Sequence, residues 1–120
     1  TQGTVDAYSP KVIRSAMGVH FALPVVELTW DEITKLFPKN KGNMYFWATV
    51  VSGGASILEL ESKYPIALVV GGEADGVSRE ALERSDVNVT IPMHGNTESL
   101  NAGVAGSIAL YEIMRKSARN

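Results

Sequence analysis

The chain has 120 residues and a mass of 12.9 kDa, one domain's worth and enough to bury a core without staples. Hydrophobic residues make up 45% and charged residues 20%, which is globular composition and not disorder. The absence of cysteine excludes disulfides, thiolate nucleophiles and Cys-ligated zinc or iron–sulfur centres, and a formal net charge of −2 announces no nucleic-acid binder while leaving room for a local basic patch. No apolar run reaches the roughly 18–20 residues of a membrane span. Thr1-Gln2-Gly3-Thr4 lacks the basic stretch and apolar core of a secretory signal. The expectation is a soluble, cytoplasmic protein with no membrane partner.

In chain order, Ser9-Pro10 reads as an N-cap followed by proline at the first helical position. That helix carries Val12, Ile13, Ala16 and Met17, and Gly18 ends it. Leu23 to Val26 reads as a short extended piece. Thr29 and Glu32 have capping-box spacing and predict a helix to about Leu36. Met44 to Val51 and Ile66 to Val70 are continuous apolar runs, the mark of strands buried on both faces of a parallel sheet. Val87 to Ile91 is a third strand candidate, with a helix over Ser78 to Arg84 before it. Leu100 to Ala118 is the longest helix. Leu100, Val104, Tyr111 and Met114 form one apolar face, Ala102, Ala105, Gly106 and Ala109 a face of very small residues, and Glu112 and Lys116 an i,i+4 pair on the polar side. Strands alternating with helices give an α/β fold with a mostly parallel sheet.

Two segments carry candidate chemistry. In Val69-Val70-Gly71-Gly72-Glu73-Ala74-Asp75-Gly76-Val77-Ser78 a buried strand runs into glycines and then a helix, where open α/β sheets bind ligands. It is neither GxGxxG nor a P-loop. Glu73, just past a buried strand end, calls for a partner. In Ile91-Pro92-Met93-His94-Gly95-Asn96-Thr97-Glu98-Ser99-Leu100-Asn101 a strand end enters a polar loop that feeds the long helix, whose free N–H groups are donors. Ser99 or Thr97 reads as an N-cap, and Asn101, one step inside the helix and a weak helix former, invites a functional role. His20 and His94 alone do not make a metal site, and no hydrolase elbow Gly-x-Ser-x-Gly is present. Tyr45, Phe46, Trp30 and Trp47 read as core.

Taken together, these segments resemble the SpoU (TrmH) branch of the SPOUT superfamily of RNA ribose methyltransferases, from about Asp6 to Ala118. Ser-Pro-Lys-Val-Ile-Arg-Ser-Ala-Met-Gly (9–18) resembles the segment between the family's first and second motifs. Leu68 to Ser78 resembles the second motif. Ile-Pro-Met (91–93), Glu-Ser-Leu-Asn (98–101) and the Ala/Gly-rich helix ending Leu110-Tyr111-Glu112 resemble the third. The resemblance implies a C-terminal deep trefoil knot, a rarity among proteins, S-adenosylmethionine as cofactor, no metal, and a homodimer using the small-residue face and the helix near Pro10. It implies cofactor contacts at Thr49, Gly71, Gly72, Ile91, Met93 and Leu100, orienting or catalytic roles for Glu73, Ser99 and Asn101, and RNA contact at Arg14. The RNA substrate would be ribosomal more than transfer RNA.

The family's first motif, with an asparagine, a glycine and a base-activating arginine, has no match in Thr1 to Val5, and Ser15 stands one place before the family's usual serine. The expectation is that residues 1–120 are one SpoU-like domain lacking its N-terminal strand and first motif, inactive alone although the parent protein is an enzyme. The alternatives are a knotted module that binds cofactor or RNA without turnover, and an unrelated flavodoxin-like nucleotide-binding domain, against which Ser99-Leu100-Asn101 argues.

Overall fold

A computed structural model describes residues 1–39, 41, 44–61, 63–93, 95 and 99–118. The chain divides into two compact units, Thr1–Leu36 and Phe37–Asn120.

The first unit holds two short helices, α1 (Pro10–Ala16) and α2 (Trp30–Leu36), and a single 3-10 turn, Val19–Phe21. Pro10 opens α1 because its fixed φ suits the first helical position. Ser9 is the N-cap residue by position, yet its side chain makes no capping bond. Met17 ends the helix in the left-handed region at φ 49°, one residue before Gly18 at φ 90°. The capping box forms as predicted: the Thr29 N–H donates to Glu32 Oε2 at 2.7 Å, and the Glu32 N–H donates to Thr29 Oγ1 at 3.2 Å. Leu23 to Val26 forms no strand. Tyr8 Oη donates to the Val25 carbonyl there.

The second unit is a four-stranded, all-parallel sheet in the order β2-β4-β1-β3, where β1 is Tyr45–Thr49, β2 Ala55–Ser56, β3 Ile66–Val69 and β4 Val87–Thr90. Helix α3 (Arg79–Arg84) precedes β4 and α4 (Ala102–Ser117) follows it. Trp47 stands opposite Leu68 and Val87 in the register. These positions share a face with Tyr45, Ile66 and Val89, and the core forms there: Trp47, Ile57 and Val89 pack with Ala109 and Ile113 of α4. On the opposite face Ala48 is fully buried, Phe46, Ala67 and Val69 are half-buried and Asn88 is exposed, so burial is less even than the continuous apolar runs imply.

Helix α4 packs mainly by its small residues. Its buried residues are Gly106, Ala109 and Ile113, while Val104, Leu110, Tyr111 and Met114 are exposed. The small-residue face is the packed one because the helix comes so close to the end of β3: a Cβ on Gly106 would lie 3.2 Å from Val70 Cγ2. Lys116 does more than decorate a polar face. Its Nζ donates to the Ile57 and Leu60 carbonyls, both at 2.6 Å, and Glu112 accepts from Arg115 at 2.8 Å.

Strand β4 lies between β1 and β2, so the 50–54 connection crosses it. The contact is tight. The Val50 N–H donates to the Val89 carbonyl, and a Cβ on Gly54 would stand 2.7 Å from the Asn88 carbonyl oxygen, which is why glycine occupies that position.

Candidate active site

In a parallel sheet every strand ends on the same edge, and the loops leaving that edge converge. Here the ends of β1, β3 and β4 and the start of α4 enclose a cavity of about 400 Å³, within the usual range for small-molecule sites. Thr49, Val50 and Val51 come from the first strand end, the 71–76 loop from the second, Val89, Ile91 and Met93 from the third, and Ser99, Leu100, Ala102 and Ala105 from the approach to α4 and its first turn.

The 71–76 loop is braced by its own backbone. The Gly72 and Gly76 N–H groups each donate to the other's carbonyl at 3.0 Å, closing a five-residue hairpin. Gly76 takes φ 66°, which favours glycine. Gly71 must be glycine for space: its Cβ would lie 2.1 Å from the Gly76 carbonyl carbon. At Gly72, by contrast, a Cβ meets nothing within 4 Å. The backbone groups of Gly72 and Gly76 are thus spent on each other, and Glu73, Ala74 and Asp75 form the tip that lines the cavity.

Glu73 has its partner in Asn101, whose Nδ2 donates to Glu73 Oε1. Asn101 Oδ1 at the same time accepts from the Gly103 and Val104 N–H groups at 3.0 and 3.2 Å. Asn101 is therefore the N-cap of α4, which corrects its expected place inside the helix and the capping assigned to Ser99. Thr97 and His94 lie outside the described residues. One amide side chain both caps the helix and fixes the loop carboxylate. Thr49 Oγ1 donates to the Val69 carbonyl at 3.2 Å, tying the ends of β1 and β3 together beside the cavity.

Of the residues singled out in the sequence, Thr49, Gly71, Gly72, Glu73, Ile91, Met93, Ser99 and Leu100 line this cavity, and Asn101 reaches it through Glu73. Arg14 belongs to the first unit, exposed on the last turn of α1. Val50, Val51, Asp75, Ala102 and Ala105 also line the cavity and were not singled out. Val50 and Val51 follow Thr49, the residue the family resemblance implied, at the same strand end.

A half-open parallel sheet with a small-molecule cavity at its carboxyl edge, closed by a glycine hairpin and the start of a long helix, defines an α/β ligand-binding domain. The chain belongs to the SpoU rRNA Methylase family, whose family model matches residues 1–111. It is 36% identical to the 23S rRNA (guanosine(2553)-2'-O)-methyltransferase RlmP of Bacillus subtilis (strain 168), over 92% of this chain and 44% of that protein. It is 35% identical to the mitochondrial rRNA methyltransferase 3A of Danio rerio, over 97% of this chain and 37% of that protein. Among solved structures, the SpoU methyltransferase AviRb from Streptomyces viridochromogenes in complex with the cofactor AdoMet superposes with a TM-score of 0.89 at 29% identity, covering 98% of this chain and 48% of that one. The chain thus spans less than half the length of these relatives.

Proposed function

We propose that the Phe37–Asn120 unit is the cofactor-holding part of an S-adenosylmethionine-dependent RNA 2′-O-ribose methyltransferase. The observation that carries this reading is the cavity at the ends of β1, β3 and β4 in a chain so similar to a methyltransferase solved with AdoMet. Its residues suit that cofactor. Apolar Ile91, Met93 and Leu100 offer a surface for a flat base, and Thr49, Glu73 and Ser99 offer polar groups for a ribose and an amino-acid end. No metal is needed for methyl transfer from a sulfonium.

The bound cofactor supplies a methyl group; transfer breaks its C–S bond, forms a C–O bond to the ribose 2′-oxygen, and releases the ribose proton to a base. The chain's residues hold and orient. The 71–76 hairpin sets the cavity wall, Asn101 fixes the Glu73 carboxylate, and Ser99 presents a hydroxyl at the mouth of α4. Such positioning is a large part of catalysis of a two-substrate reaction. The group that activates the ribose hydroxyl is proposed to come from the family's first motif, which Thr1 to Val5 does not match, and Arg14 is proposed for RNA contact. Ribosomal RNA is the favoured substrate, in line with the names of the Bacillus subtilis and Danio rerio relatives. The close passage of β4 under the 50–54 connection favours a knotted path for the chain that follows, and a homodimer completes the reading.

Calorimetry of the full chain with S-adenosylmethionine tests it. One site per chain is expected, and Gly72→Trp, which projects into open space, lowers affinity at least ~10-fold by filling the cavity while leaving the urea midpoint unchanged. No binding, or wild-type binding by Gly72→Trp, overturns the reading. A second reading, a module that binds without turnover, draws on the absence of Arg, Lys or His among the described residues that line the cavity. Methyl transfer to RNA by the full-length protein decides against it.

A further inference from the structure

The described lining of the cavity carries two carboxylates, Glu73 and Asp75, and no cationic side chain. The two differ in what they do. Glu73 accepts from Asn101 and so is partly satisfied within the protein. Asp75 sits on the same hairpin tip, held by the Gly72–Gly76 pairing, and makes no hydrogen bond among the described residues. The start of α4 would offset a negative field, but its Gly103 and Val104 N–H groups are already taken by Asn101. The cavity therefore favours a cation, and Asp75 is its uncommitted charge.

We infer that Asp75 is a specificity-determining residue that makes this cavity prefer a cationic cofactor over the neutral product left after its methyl is transferred. The inference rests on reading the cavity as the cofactor site. S-adenosylmethionine carries a sulfonium and an ammonium against one carboxylate, a net positive charge. S-adenosylhomocysteine has lost the sulfonium charge and is neutral overall. The two share nearly every apolar and hydrogen-bonding group, so contacts to the base, ribose and amino acid bind them alike. A carboxylate in the cavity wall tells them apart by charge alone. Asp75 thereby holds the methylated form more tightly and adds nothing to the hold on the product, and it takes no part in the transfer itself.

The test is calorimetry of the full chain with both compounds, for wild type, Asp75→Asn and the charge-keeping Asp75→Glu, at low and high salt. Asp75→Asn is expected to weaken S-adenosylmethionine on the order of 3- to 10-fold and S-adenosylhomocysteine less than about twofold. Asp75→Glu restores the preference, and salt shrinks it in wild type more than in Asp75→Asn. Equal losses for both compounds, no loss for either, or a preference that Asp75→Glu fails to restore overturns the inference and leaves the cofactor site standing. If wild type binds neither compound, the reading of the cavity as a cofactor site fails, and this inference falls with it.

Discussion

Met17 and Phe21 in the first unit are 91% and 95% exposed, whereas Trp47 and Ile57 in the second are 3% and 1% exposed. The two units draw on the same apolar alphabet and differ in architecture. In the second, a parallel sheet gives α4 a surface to lie on, and every second strand residue joins one core. In the first, helices of seven residues with a single 3-10 turn between them offer no layer to cover, and no residue there is fully buried. The first unit is instead rich in local polar ties: Ser15 Oγ to the Lys11 carbonyl, Tyr8 Oη to the Val25 carbonyl, and the Thr29–Glu32 box. An apolar residue in the sequence is thus a claim on burial that the surrounding architecture must be able to honour.

The sharpest way to break this comparison is a pair of aromatic truncations. Trp47→Ala removes the largest side chain of the core cluster and is expected to cost about 3–5 kcal/mol, a large share of the ~5–15 kcal/mol a domain holds. Phe21→Ala, at 95% exposure, is expected to stay within about 0.5 kcal/mol. Urea unfolding midpoints measure both. Comparable losses would mean that Phe21 is covered and that the contrast between the units is false.

Within the second unit, neighbouring glycines set up the next comparison. Gly71→Ala drives a Cβ to 2.1 Å from the Gly76 carbonyl carbon, a backbone clash that no rotamer relieves, and is expected to cost about 1–3 kcal/mol or more. Gly72→Ala enters open space and is expected to cost less than about 1 kcal/mol. Asn101→Ala should fall between them. It loses an N-cap, for about 1 kcal/mol, and frees Glu73, so cofactor affinity should fall further than the loss of stability explains. An Asn101→Ala protein with intact binding would reduce Asn101 to a cap.

The sequence makes β1 and β3 legible as continuous apolar runs ending at polar or glycine residues, and β4 as a short β-branched stretch in which Val87, Val89 and Ile91 alternate with polar residues. It hides β2, because Ala55-Ser56 has no apolar signature and is a strand only through its pairing with Val89 and Thr90. The sequence separates a large-residue face of α4 from a small-residue one but does not say which of them packs on the sheet. Contact with Val70 at the end of β3 decides for the small one, and nothing local to α4 encodes it. The site residues are legible for a simpler reason. Strand ends and glycines mark the carboxyl edge of a parallel sheet whatever the packing behind it, so Gly71 and Ile91 can be found without knowing the core, whereas Thr49 came from the family resemblance. Asn101 was placed on the right segment with the wrong local role, since the helix starts two residues later than Ser99 indicates.

The smallest expected effect returns to the first unit and asks whether its local ties hold it. The Thr29 N–H, and after it the Thr29 hydroxyl, donate to the Glu32 carboxylate and hold its pKa below the usual carboxylate range, with Lys35 adding a little. A carboxyl whose pKa is lower folded than unfolded stabilises the fold above its unfolded pKa. That contribution is lost as pH falls through the folded value. The start of α2 should therefore loosen on acidification below the ordinary carboxylate range, and in Glu32→Gln that part of the pH response should vanish. Thr29→Val removes the hydroxyl and keeps the N–H donor, so it should leave part of the response in place. Amide hydrogen exchange at Ile33 reads the box directly, because its N–H donates to the Thr29 carbonyl at 3.0 Å in the first turn. Protection at Ile33 that follows pH identically in wild type and Glu32→Gln would show that the box does not hold the helix. The first unit's order would then have to come from the half-buried side chains of Val12, Leu28 and Trp30, and its contrast with the sheet would be one of degree.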